Sequence, residues 1–116
     1  MSARRADRVA EAVREVIAEL LLRDIKDPRI GMITLTSVEF SDDLKHARVY
    51  FSSVGDSTTR ERSLSGLRSA AGFIRSQVTR RLKLRYAPDL TFLFDPSLEV
   101  ADRVATLLKD ARARNE

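Results

Sequence analysis

Cysteine is absent from the sequence, which excludes disulfides, thiolate zinc sites and cysteine nucleophiles and is compatible with a reducing compartment. Tryptophan is absent too, and aromatic residues make up only 6% of the chain, so its core must be mainly aliphatic. His46 is the single histidine, and a catalytic triad has no other assignable base. Long apolar runs are missing as well: the N-terminus carries Arg4, Arg5, Asp7 and Arg8, followed by an apolar pattern interrupted by charge. That pattern is neither a signal peptide nor a membrane span, and the protein is expected to be soluble, intracellular and cytoplasmic. No G-x-x-x-x-G-K-[ST] loop is present to cradle nucleotide phosphates, and no G-x-G-x-x-G follows a strand. No metal or cofactor site is expected.

The chain has 116 residues, 43% of them hydrophobic and 33% charged, which fits one globular domain over residues 1–116. The charged end, Ala111 to Glu116, is expected to fray. The net charge is +4, unevenly spread. Between Arg60 and Ala87 eight Arg or Lys stand against Glu61, a net of +7, which leaves −3 for the remainder. Such a concentration favours a polyanion docking on one surface, nucleic acid being the commonest, against the plainer alternative of a solvated helix face.

Val9, Val13, Val16, Ile17, Leu20 and Leu21 follow helical spacing and predict a helix from Ala3 to about Arg23. Asp27-Pro28-Arg29 ends that pattern in a turn, since proline fixes its own φ and disfavours helix in the residue before it. Ile33 to Phe40 reads as a strand whose apolar phase switches, which predicts a bulge near Thr36 or Ser37. Ser41-Asp42-Asp43 is a turn signal, and Ala47, Val49 and Phe51 alternate with His46, Arg48 and Tyr50 in the second arm of a hairpin. After a loop at Gly55 to Thr59, an apolar stripe of Leu64, Leu67, Ala71, Ile74, Val78 and Leu82 continues across Gly72. A glycine in that position predicts two helices sharing one stripe, bent at Gly72. Leu90 to Phe94 is a third strand, and Asp95-Pro96 reads as an N-cap and first residue of a last helix carrying Val100, Val104, Leu107 and Leu108. Three strands with helices on one face make a small α+β sandwich.

If the stripe faces the core, Arg68, Gly72, Arg75, Thr79 and Lys83 fall near one solvent-facing line. A residue without a side chain on that line lets a phosphate backbone approach, and a break there would offer fresh N–H donors. The alternative is that Gly72 merely permits a tight bend or packing contact. His46 reads as an exposed strand residue, and Asp42 and Asp43 as turn formers; a nuclease built on these three is the weaker alternative. A helical protein-interaction module leaves the +7 segment without a purpose. An RRM is disfavoured by the opening helix and by the lack of paired aromatics besides Tyr50.

The order of elements and the stretch Ser69-Ala70-Ala71-Gly72-Phe73-Ile74-Arg75 resemble the ribosome-binding factor A family of bacterial small-subunit assembly factors, over nearly the whole chain. Matching blocks are Lys26 to Ile30, the Ser41-Asp42-Asp43 turn leading to Ala47 to Ser52, Leu84 to Phe92, and Asp95-Pro96-Ser97. The resemblance implies a KH-like fold of the second topological type, α-β-β-α-kink-α-β with a C-terminal helix. Its glycine loop becomes an Ala-x-Gly kink, here Ala70-Ala71-Gly72. Ser69 stands where the first glycine of a G-x-x-G clamp would fall, so single-strand gripping does not follow from the fold, and the resemblance implies shape and charge recognition of structured RNA. It further implies a non-catalytic, monomeric factor without cofactor, membrane or small-molecule substrate. Its expected partners are the free 30S subunit and 16S rRNA near the 5′-terminal helix, late in maturation and rRNA processing, with a link to growth in the cold. The expected RNA contacts are Arg68, Gly72, Arg75, Arg80, Arg81, Lys83 and Arg85, with Lys26, Arg29 and Lys45 as secondary ones.

Overall fold

The computed structural model describes residues 3–97 and 107–109. Helix α1 (Ala3–Arg23) is followed by strands β1 (Ile33–Phe40) and β2 (His46–Ser53), helix α2 (Ser57–Arg81) and strand β3 (Asp89–Phe94). Ala10, Val13, Ile17 and Leu20 bury one stripe of α1, the 3.6-residue period of the sequence realised in packing. The helix ends where the amides of Asp24 and Ile25 both donate to the Leu20 carbonyl. Asp27 then shapes the turn by accepting the Arg29 amide at 2.9 Å.

β1 and β2 pair antiparallel, and the register shifts between Leu35 and Ser37, where the change of apolar phase placed a bulge. β2 is central, since β3 joins its other side in parallel, giving the order β1-β2-β3. Ala47, Val49 and Phe51 from the central strand, Leu35 and Val38 from β1 and Phe92 from β3 meet Val13, Ile17 and Leu20 of α1 and Leu67, Ile74 and Val78 of α2 in one core. Burying these side chains is the main stabilisation, roughly 1.5–3 kcal/mol for each large aliphatic.

α2 departs from expectation in one respect. It runs unbroken for 25 residues through Ala70, Ala71 and Gly72, so the expected division into two helices is absent. The apolar stripe is continuous through this stretch, and a glycine's cost of about 1 kcal/mol in a helix is too small to break a helix held by buried Leu67, Ile74 and Val78. The fresh N–H donors expected from a break are therefore not available at Gly72. The N-terminus is capped by Asp56, whose Oδ1 accepts the Thr59 amide at 2.9 Å. The C-terminus closes with Lys83 N donating to Arg80 O and Leu84 N to Thr79 O, a Schellman arrangement with Lys83 in the left-handed region at φ 52°. After β3, Asp95 accepts the Thr36 hydroxyl at 2.7 Å and the Ser97 amide at 2.9 Å, which fits its expected capping role. Leu107 to Lys109 are helical, whereas Val100, Val104 and the end expected to fray lie outside the described residues.

Candidate nucleic-acid interface

The ten basic and glycine positions singled out by the sequence do not form one surface. Gly72, Arg75 and Arg80 line a shallow groove of about 460 Å³ together with Ser76, Thr79 and Ala87. Arg68 lies one step toward the N-terminus of α2, in a separate depression with Glu61, Leu64, Ser65 and Ser69. Lys45 and Arg85 converge on Tyr86, each with its cationic centre 5.6 Å from the ring centroid. Arg29 and Arg81 turn inward to other elements.

Internal partners sort these cations further. The Arg75 guanidinium donates to the Pro88 carbonyl at 3.1 Å and the Ala87 carbonyl at 2.9 Å, and pairs with Asp89 at 3.3 Å. It ties the α2–β3 loop to the helix, so only part of its hydrogen-bonding capacity faces outward. Arg81 reaches back to Glu19 at 3.5 Å and Asp24 at 3.8 Å, joining α2 to the end of α1. Arg29 grips Asp27 at 2.6 Å and meets the Ser65 hydroxyl at 3.4 Å. The Arg29 guanidinium holds the Asp27 carboxyl below the usual carboxylate range, chiefly by this hydrogen bond, so the pair stays charged at neutral pH. Arg60, also counted in the basic segment, stacks over the Phe94 ring at 3.8 Å. Arg68, Arg80, Lys83 and Lys26 are exposed, and among the described residues no ion pair or hydrogen bond ties their side chains to another element, which leaves their charge available to a polyanion.

Gly72 is exposed, and a Cβ built there would meet nothing within 4 Å. No internal contact requires glycine at this position, so the packing alternative raised by the sequence belongs elsewhere. It belongs to Gly66, where a Cβ would come within 2.6 Å of Ile30 Cγ1 and 3.4 Å of Arg29 Cβ. Gly66 escaped the sequence reading because it interrupts no apolar stripe. The signal that could have found it is the Ile30 side chain arriving from the proline turn, a tertiary contact with no local periodicity.

Tyr86 was also missed as a site residue. It is 55% exposed at the end of the basic segment, between cations 41 and one positions away in the chain, a pairing that only the fold creates. His46 is exposed and lies 3.7 Å from Asp89 on the strand surface. Asp43 accepts the Ser41 hydroxyl and the Lys45 amide, and the Ser41 hydrogen bond above all lowers its pKa, as suits a turn former. Among the described residues no group of three or more His, Asp or Glu could hold a metal ion, and no helix is long and apolar enough to cross a membrane.

The family model described as ribosome-binding factor A matches residues 5–108. The ribosome-binding factor A of Geobacter metallireducens is 45% identical over 107 residues, covering 92% of this chain and 91% of that protein. That of Desulfitobacterium hafniense is 43% identical over 116 residues, covering 100% and 93%. Among solved structures, the crystal structure of ribosome-binding factor A from Thermus thermophilus superposes with a TM-score of 0.66 at 25% identity, over 76% of this chain and 93% of that one. A Thermus thermophilus homology model fitted into the cryo-EM map of a 30S–RbfA complex gives a TM-score of 0.60 at 26% identity, over 83% and 97%.

Proposed function

We propose, for a chain that belongs to the ribosome-binding factor A family, that it binds the free 30S ribosomal subunit through 16S rRNA and assists late maturation of that subunit without catalysing a reaction. The observation that carries the reading is the groove on the C-terminal part of α2, where the open backbone of Gly72 lies with Arg75 and Arg80, and Lys83 and Arg85 follow as exposed residues in the chain. A phosphate backbone entering this groove meets cations at both ends and no side chain at Gly72, so the approach is close and the contact is electrostatic. The 30S complex into which the Thermus thermophilus homologue is fitted supports the choice of partner.

The factor acts as a single cytoplasmic domain and a monomer, near the 5′-terminal helix of 16S rRNA, during rRNA processing and with its greatest consequence in the cold. Its chemistry is that of differential binding. Holding one conformation of immature rRNA more tightly than another shifts the population toward it, and no bond need be made or broken. Arg68, Arg80 and Lys83 supply charge most freely, Arg75 supplies it from α2 while pinning the α2–β3 loop, Arg85 supplies it from that loop, and Lys26, Arg29, Lys45 and Arg81 are peripheral.

Cosedimentation with 30S and 70S particles across a salt series tests this. The wild type is expected to prefer free 30S, with affinity falling steeply as salt rises. An Arg68/Arg80/Lys83→Glu variant keeps its helix signal, because among the described residues these exposed side chains make no ion pair or hydrogen bond to another element, and loses 30S binding. Unchanged binding by that folded variant, or no 30S association by the wild type, overturns the proposal.

A further inference from the structure

Tyr86 sits on a mount more rigid than an exposed loop usually offers. The two carbonyls that follow it in the chain, those of Ala87 and Pro88, are both held by the Arg75 guanidinium, and Pro88 is fully buried. Immediately afterwards the Asp89 amide donates to the Lys45 carbonyl at 2.8 Å, locking the loop to the β1–β2 turn. The ring is therefore presented to solvent with little freedom left to lose on binding. Lys45 comes from that turn and Arg85 from the loop itself, both at the distance at which a cation still feels the ring quadrupole. Of the nearby acids, Asp89 pairs with Arg75 at 3.3 Å, and Asp43 stays ionised beside Lys45 while its carboxylate accepts the Ser41 hydroxyl and the Lys45 amide, so Arg85 is the cation at the ring that the turn acids offset least.

We propose that Tyr86 stacks one unpaired base of the bound RNA, with Lys45 and Arg85 taking the phosphates that flank it. This deepens the reading of the basic groove given above and rests on it. The two sites are contiguous, since Ala87, next to the ring, also lines the Gly72–Arg75–Arg80 groove. A duplex lying in that groove would have to offer a bulged, looped or terminal base at the Tyr86 end. An aromatic ring accepts any base by its face, so the site selects for single-strandedness and not for sequence. The two cations then exchange a weak contact with the ring for charge-assisted bonds to phosphate.

The absence of tryptophan makes the test direct. The chain has two tyrosines, so a Tyr50→Phe variant leaves Tyr86 as the sole tyrosine and its fluorescence as a local reporter. Single-stranded oligoadenylate should quench that fluorescence, whereas a blunt RNA duplex should not. In the Tyr50-containing chain, Tyr86→Ala should weaken binding to free 30S by about tenfold and Tyr86→Phe by less than about twofold, since stacking needs the ring and not the hydroxyl. Wild-type affinity in a folded Tyr86→Ala variant overturns the stacking site; if charge reversal on α2 still abolishes 30S binding, the proposed function stands without it. If the wild type fails to bind 30S, both fall. Weakened binding by Tyr86→Ala without quenching by single strands also overturns it, because the ring then meets ribosomal protein.

Discussion

Gly66 and Gly72 lie within two turns of each other on α2 and serve opposite ends. At Gly66 the helix is pressed by the turn after α1: a Cβ would meet Ile30 Cγ1 at 2.6 Å, and the neighbouring Ser63 is fully buried with its hydroxyl accepting the Gly31 amide at 3.3 Å. At Gly72 nothing inside the protein comes within 4 Å of the missing side chain. One glycine is kept for what the fold places on it, the other for what the fold leaves open. The N-terminal half of α2 is thus a packing element and the C-terminal half a presenting one, although the same apolar stripe anchors both.

The largest expected effect comes from forcing a side chain onto the packed position. Gly66→Val should destabilise the protein by about 2–3 kcal/mol, because overpacking against Ile30 and Arg29 requires the turn to move. Gly66→Ala should cost less, about 1 kcal/mol, since better helix propensity offsets part of the clash. Combining Gly66→Ala with Ile30→Ala removes the atom that the new methyl meets. The double variant should then be more stable than the sum of the single changes allows, measured by chemical denaturation. Strict additivity would show that the contact is not what holds glycine there.

The open position should respond with the other sign. Gly72→Ala gains helix propensity with no clash and should stabilise the protein by about 1 kcal/mol. If the proposed function holds, the same variant should bind free 30S more weakly, because the added methyl fills the open space at Gly72 through which a phosphate would approach. A stabilised variant with unchanged 30S affinity would break the contrast on its functional side, and a destabilised one would break it on its structural side.

Much of this architecture was legible because the signals were local. The period of Val13, Ile17 and Leu20 specified α1, and the phase change between Leu35 and Val38 located the bulge. Asp56 and Asp95 acted as the capping and turn residues that their chemistry suggests. What stayed hidden was non-local. A helical wheel cannot show that Arg75 is bound to the loop 12 and 13 residues ahead, or that Arg81 is paired with Glu19. It treated every cation as equally free, and so overestimated the charge that the face offers. The division of α2 at Gly72 failed for a related reason: propensity at one residue was weighed without the packing on both sides of it. Tyr86 and Lys45 met only when β3 paired with β2 and brought the two loops together.

Lys83 gives the smallest effect and the finest test of the same division of labour. It occupies the position after the C-cap of α2 in the left-handed region, at φ 52°, where glycine is the residue that fits without cost. Lysine at that position gives up stability that glycine would supply in a left-handed cap. On the proposed function, an exposed cation at this end of α2 gives lysine a reason to stand where glycine would cap better. Lys83→Gly should therefore raise stability by about 0.5 kcal/mol, the relief of the left-handed backbone less the added freedom of the unfolded chain. The lost interaction with the helix dipole is minor, because Arg80 and Arg81 already place charge in the last turn. The same change should lower 30S affinity and reduce the slope of log affinity against log salt by about 0.7–0.9, one phosphate contact fewer. A Lys83→Gly protein that is more stable and binds with an unchanged salt slope would remove Lys83 from the interface and leave its strained backbone without a functional reason.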